Sequence, residues 1–192
     1  MSPNRLALIA IAATFLAACS TSDIVISGYG AGGLPYQPSY VRYMLGQGDI
    51  PLEVHGNPST LGDGAFVELV EKRLRLDPAF GRATFRTNPT TKNRHPFRVV
   101  LVFNADNTRI DPNHVCRGEG VENSGGVNNT LHVRGVFCDR ETVLSANSGL
   151  ANTPDDFNGK RFGRLLDQLL FEMMPPEGNR DLNENCPTTA NC

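Results

Sequence analysis

The sequence predicts an α+β fold, with an antiparallel sheet of four to five strands and two helices packed on one face. Two observations predict it. Short segments rich in β-branched and aromatic residues recur between turn residues, as is typical of strands. Two longer segments, residues 63–76 and 155–174, repeat apolar residues at the spacing of an amphipathic helix. We expect the sheet to provide the apolar surface that both helices cover.

The first predicted strand and helix follow each other closely. Ile50–His55 alternates apolar and other side chains and is ended by Gly56. Asp63 is a predicted N-cap, because its side chain can accept a hydrogen bond from the first helical turn, and apolar residues recur every three or four positions after it. Asp77-Pro78 ends the helix, because a proline disfavours helical geometry at the residue before it.

Four further segments have strand character. Residues 82–86 predict a short strand, and residues 97–103 are apolar enough for a well-buried one. A polar connection runs through residue 129, after which residues 131–138 alternate again. Residues 141–147 are predicted as an edge strand.

The second helix has the clearest pattern. Thr153 offers a capping hydroxyl, Pro154 suits the first helical position, and two acids follow in the first turn. Apolar residues from Phe162 to Met173 form one stripe, and Pro175-Pro176 ends the helix. We expect this stripe to pack on the sheet; a surface that binds a partner or lies on a membrane is the alternative.

The predicted domain spans residues 44–176 and has a flexible segment on each side. Residues 19–43 are rich in Gly, Pro, Ser and Tyr, a composition that favours a tether over a folded element. Residues 177–192 are a polar tail with two cysteines that can close a small loop.

The first 18 residues have the pattern of an export signal. Arg5 and the terminal amine give a basic start, and Leu6–Ala18 is an apolar run broken only by Thr14. The run is shorter than the about 20 apolar residues that a membrane-spanning helix needs. An ordinary cut after Ala18 would leave bulky Leu16 at a position that prefers a small residue.

Leu16-Ala17-Ala18-Cys19 resembles the lipobox of bacterial lipoproteins. The resemblance implies that the signal is removed before Cys19, that its thiol receives a diacylglyceryl group, and that its new amine is often acylated. Two or three acyl chains anchor a protein stably, whereas one does so only marginally. Ser20, in place of Asp, implies transfer to the periplasmic face of the outer membrane. The membrane is therefore the first expected partner.

With Cys19 set apart, four of the five cysteines remain, in a chain expected in an oxidising compartment. Two disulfides are therefore predicted. Three pairings are possible, and we favour Cys116 with Cys138 and Cys186 with Cys192 because each closes a local loop.

Neither a metal nor another cofactor is predicted. A metal site formed by the first cysteine pair with His114 or His132 is the alternative to its disulfide, but it lacks paired ligand spacing. Residues 28–33 match G-x-G-x-x-G, yet Leu34-Pro35 cannot continue as the helix that binds a pyrophosphate. A partial calcium-loop pattern begins at Asp181 but lacks the required Gly and Glu.

Composition and motifs narrow the function. Eighteen basic and 20 acidic side chains give a net charge of −2, so nucleic acid is not an expected partner. The common hydrolase motifs are missing from the sequence, and no catalytic residue is predicted. We expect a binding or assembly module, with an envelope protein as its partner. The alternative is a periplasmic hydrolase with a non-consensus site, for which His55 is the first residue to test; a lipid- or small-ligand-binding module lies between the two.

Overall fold

The computed structural model describes residues 24–28, 34–90, 96–104, 110–119, 121, 130–153 and 157–177. Within these ranges six strands form one sheet: β1 (Ile24–Gly28), β2 (Ile50–His55), β3 (Phe85–Arg86), β4 (Phe97–Phe103), β5 (Thr130–Asp139) and β6 (Thr142–Asn152). Their order across the sheet is β1-β6-β5-β4-β2-β3. The same ranges contain four α-helices, α1 (Pro38–Gln47), α2 (Asp63–Arg73), α3 (Pro112–Cys116) and α4 (Lys160–Met173).

The sheet is mixed, so the α+β class is confirmed but the antiparallel sheet of four to five strands is wrong. β1, β6, β5 and β4 are antiparallel neighbours, whereas β2 pairs in parallel with both β4 and β3. The cause is α2, which follows β2 and carries the chain back across the sheet before β3 begins. Parallel neighbours need such a crossover connection, and a helix usually supplies it.

Helices cover both faces of the sheet, one more completely than the other. α1, α2 and α4 pack on the first face, where Val41, Phe66 and Leu165 join buried strand residues such as Leu101 in one core. The short α3 packs on the second face against a smaller apolar cluster that includes Val100, Val136 and Cys138. The expected arrangement of two helices on one face therefore has to be extended by α1 and α3.

The prediction of a tether over residues 19–43 is wrong for residues 24–28 and 34–43. Ile24 and Ile26 turn toward the first face, as in any strand of period two, and β1 pairs with β6. Residues 38–47 form α1, whose Val41 and Met44 are fully buried. The folded domain therefore begins well before residue 44.

Residues 141–147 do not form the edge strand that was predicted. β6 continues to Asn152 and lies between β5 and β1, with Ile24 opposite Ala151. The edge belongs to β1, because the alternating segment at residues 24–28 supplies one more strand.

The boundaries of the predicted helices also change. α2 ends at Arg73, before the expected residue 76, and α4 begins at Lys160 with Gly159 as its N-cap. Thr153 is therefore not the cap of α4, and residues 154–156 lie outside the described residues. The apolar stripe of α4 is buried on the sheet, as expected.

Close packing of α4 on the sheet depends on two strand glycines. A Cβ atom at Gly149 would lie 2.8 Å from Leu165 Cδ1, and one at Gly135 would lie 3.0 Å from Met173 Sδ. Both distances are too short for an ordinary carbon contact, so the absence of a side chain lets the helix approach.

Candidate functional site

A cleft of about 1190 Å³ opens between β1, α4 and the segment that follows α2. Apolar side chains from all three elements line it, among them Ile24, Ile26, Leu76 and Phe171. The two isoleucines reach it because alternate residues of β1 point to the first face of the sheet. We call this space the cleft.

Charged side chains of both signs line the cleft. The segment after α2 contributes Arg75, Asp77 and Arg82, and α4 contributes Asp167 and Glu172. A concave, partly apolar space with a few charged groups is the usual form of a ligand site.

A smaller depression of about 540 Å³ adjoins the cleft and shares Arg75 and Asp167 with it. Its other lining residues are Arg73, Lys160, Gly163 and Arg164. We call this depression the basic pocket, because four cationic side chains face one carboxylate there. Such a charge balance attracts anions.

Helical spacing and one tertiary contact build the basic pocket. Lys160, Arg164 and Asp167 follow one another at intervals of four and three, so they share one face of α4. The Arg73 guanidinium donates a hydrogen bond to the carbonyl oxygen of Asn158, which joins the end of α2 to the start of α4. Nothing lies within 4 Å of the position that a Cβ at Gly163 would take, so the floor of the pocket is open.

Asp167 stands where the basic pocket meets the cleft. Burial raises the pKa of its carboxyl above the ordinary value, and the charge and backbone N–H of Arg75 oppose that rise. Its Oδ1 atom is buried and accepts no hydrogen bond from the described residues. The carboxyl therefore keeps a proton to a higher pH than an exposed aspartate does.

On the opposite face of the sheet, Glu53 and His55 of β2 lie beside Arg98 of β4. The Arg98 Nε atom is 2.7 Å from Glu53 Oε1, and the His55 Nε2 atom is 3.8 Å from Glu53 Oε2. The His55 side chain, and Arg98 with it, lower the pKa of Glu53, although partial burial acts the other way. Arg98 also donates hydrogen bonds to the carbonyl oxygens of Arg140 and Cys116.

This cluster therefore joins β2, β4, α3 and the turn between β5 and β6. Among the described residues, no hydroxyl or thiol hydrogen-bonds to His55 Nε2. Ser148 on β6 lies in the same row across the sheet as His55 on β2, but β4 and β5 lie between them. At the usual strand spacing, the two residues are therefore about 14 Å apart. Ser148 Oγ instead accepts a hydrogen bond of 2.6 Å from Arg134. Nucleophilic catalysis needs a nucleophile within hydrogen-bond reach of its base.

Cys116 and Cys138 form a disulfide, the pairing favoured from the sequence. The bond joins the end of α3 to β5, and it removes both thiolates that the alternative metal site needs. In the described ranges no three His, Cys, Asp or Glu residues gather as metal ligands do. Other residues that the sequence singled out lie outside the described ranges: Cys19, Asp181, Cys186 and Cys192.

The residues of the cleft were not predicted from the sequence. In the sequence, Arg75 and Arg164 each belong to the polar face of a predicted helix, where exposure to solvent is expected. Only the folded structure brings the two side chains together. The available signal was weak: basic residues recur near the end of one predicted helix and near the start of the other.

Comparison with protein-family models, curated proteins and solved structures finds no match to this chain. None of the helices in the described ranges has both the length and the apolar character that crossing a bilayer requires. The fold and its sites thus define a disulfide-bonded α+β domain with a charged, partly apolar cleft.

Proposed function

We propose that this protein is a lipoprotein of the bacterial cell envelope, anchored through Cys19, and that its folded domain is a binding module with the cleft as its site. The observation that carries the proposal is the position of β1. Ile24 lines the cleft and follows Cys19 by only five residues. A ligand site and an anchor so close in the chain suit a module that works at a membrane.

Chain geometry limits the distance between the anchor and the domain. Five residues span at most about 18 Å even when fully extended. A lipid on Cys19 therefore holds Ile24, the first residue of β1, within that distance of the membrane surface. The domain works beside the membrane instead of at the end of a long tether.

Fatty-acid labelling tests the anchor. Cells that express the full chain are grown with an alkyne-tagged fatty acid, and we expect label on the wild type and none on Cys19→Ala. The Cys186→Ala variant is the matched control and should label like the wild type. Equal labelling of Cys19→Ala would disprove the anchor.

Membrane fractionation tests the location. We expect the wild type in the outer-membrane fraction, and Ser20→Asp in the inner-membrane fraction, because Asp after the lipidated cysteine is the residue that the resemblance associates with retention. A wild type found only in the inner membrane would contradict the outer-membrane part of the proposal.

The binding role has a test of its own. Crosslinking in intact cells followed by purification in detergent should recover a stable complex if an envelope protein is the partner, and charge reversal at Arg75 should weaken it if the cleft is involved. The hydrolase alternative predicts turnover that His55→Ala abolishes without unfolding. The structural role of the Glu53 cluster gives no support to that alternative.

A further inference from the structure

The cleft and the basic pocket together form one elongated site with two chemically different ends. Both are lined by Arg75 and Asp167, so the two spaces meet at these side chains. Their volumes of about 1190 and 540 Å³ together exceed the roughly 300–1,000 Å³ of a typical small-molecule pocket. A long ligand fits this shape better than a compact one.

The basic pocket favours an anionic group at one end. Arg73, Arg75, Lys160 and Arg164 outnumber the single carboxylate of Asp167 there. Arginine is well suited to a phosphate because its planar donors can bind two oxygens at once. Arg75, Lys160 and Arg164 are exposed, so a ligand can reach them from solvent.

The other end of the site favours an apolar chain. Ile24, Ile26, Leu76 and Phe171 provide partly or fully buried apolar surface along the cleft. Glu172 lies at this end, on the same turn of α4 as Phe171. Outside the junction with the basic pocket, the carboxylates of Asp77 and Glu172 outnumber the one cation that the described residues supply, Arg82, so the charges orient an anionic ligand with its head in the basic pocket.

We propose that the cleft and the basic pocket bind one lipid with an anionic phosphate headgroup, the phosphate at Arg75 and Arg164 and an acyl chain along Ile24, Ile26 and Phe171. The proposal rests on the proposed membrane anchor. Ile24 follows Cys19 by five residues, so in the anchored protein this residue of the cleft lies within about 18 Å of the surface of the bilayer that contains such lipids. Charge complementarity selects the headgroup, and the apolar wall selects a lipid over a free anion.

Photocrosslinking tests the lipid site in the intact protein. The mature chain, purified in detergent from bacterial membranes, is reconstituted in phosphatidylcholine vesicles that contain a photoactivatable phosphatidylglycerol. We expect crosslinks at residues 75–84 or 164–172. In the double variant Arg75→Glu/Arg164→Glu we expect the yield to fall about tenfold, which corresponds to the loss of roughly 1.4 kcal/mol of binding.

Matched controls separate headgroup recognition from mere proximity to the membrane. Arg117→Glu makes one of the two charge reversals at an exposed position next to α3, on the opposite face of the sheet, and should leave the yield unchanged. A photoactivatable phosphatidylcholine should crosslink about tenfold less than the anionic probe. Lys160→Glu serves as a second variant if the double variant loses its thermal transition.

Three results would overturn the lipid site: equal yields for the double variant and the wild type, equal yields for the neutral and anionic probes, or displacement of the probe by inorganic phosphate alone. Fatty-acid labelling of the same preparation keeps the two proposals apart. A labelled protein without these crosslinks disproves the lipid site and leaves the anchor standing, whereas an unlabelled protein disproves the anchor.

Discussion

The environment of Asp167 destabilises the ionised form of its carboxyl. Burial raises the pKa of its carboxyl, so the folded protein binds this proton more tightly than the unfolded chain does. Stability must then fall as the pH rises from the unfolded pKa through the folded pKa. Asp167, which lies where the cleft meets the basic pocket, therefore lowers the stability of the fold at neutral pH.

Replacing Asp167 by Asn should raise the melting temperature at pH 7. The gain should be below about 1 kcal/mol, because the side chain is partly exposed and solvent screens it. It should disappear near pH 3, where aspartic acid and asparagine are both neutral. Melting curves across this range check the prediction, with Glu141→Gln in the exposed β5–β6 turn as the control. A gain that is independent of pH would contradict it.

The ionisation of Glu53 gives stability the opposite dependence on pH. His55 and Arg98 lower the pKa of its carboxyl, so its contribution to stability is present above the unfolded pKa and is lost as the pH falls through the folded pKa. Glu53→Gln should destabilise the domain at pH 7 by less than about 1 kcal/mol, since the side chain is 42% exposed. Urea denaturation at pH 7 and pH 3 measures it, and an equal loss at both pH values would exclude the ionic cause.

At the scale of elements, the contact between α4 and the sheet is sensitive to any increase in side-chain size at the strand glycines. Gly149→Ala should cost about 1–3 kcal/mol, because a Cβ there meets Leu165 at 2.8 Å and forces the helix or the side chain to move. Gly163→Ala is the matched control on α4 itself, with open space around the new methyl group. It should stabilise the helix by about 0.5–1 kcal/mol. Denaturation midpoints of the two variants should therefore move in opposite directions.

Some elements were easier to predict from the sequence than others. Phe97–Phe103 was predicted with correct ends because a continuous run of β-branched and aromatic residues has few other structures available. β1 was missed because its run of three apolar residues is short and is surrounded by glycines and serines, a composition typical of flexible segments. The direction of β2 was not predictable, because side-chain alternation is the same in parallel and antiparallel strands.

The candidate site was less predictable than the fold. The basic pocket joins Arg75 to Arg164, which lie far apart in the chain, and neither stands in a motif. The disulfide between Cys116 and Cys138 was predictable because an even number of cysteines, in a chain expected in an oxidising compartment, indicates disulfides, and this pairing closes a local loop. Sites made by tertiary contact between ordinary charged residues leave no comparable local signal.

At the scale of the whole molecule, the disulfide stabilises the thinner side of the sheet. It closes a separation of 22 residues and holds α3 on the second face. Replacing both cysteines by Ala should cost about 3 kcal/mol, mainly by restoring freedom to the unfolded chain. Thermal melting with and without reductant checks this: the reductant should lower the wild-type midpoint toward that of the variant and leave the variant unchanged. A wild type insensitive to complete reduction would contradict the prediction.

The pairing of β1 with β6 also determines when the molecule can complete its fold. Ile24 lies opposite Ala151, so the first described strand has its neighbour in the last one. A ribosome delivers the two strands at opposite ends of synthesis, and such distant contacts give a high contact order and slow folding. The cleft, which needs both β1 and α4, is therefore among the last features to form. If the chain is exported, as we propose, β1 can pair with β6 only after almost the whole described chain has crossed the membrane.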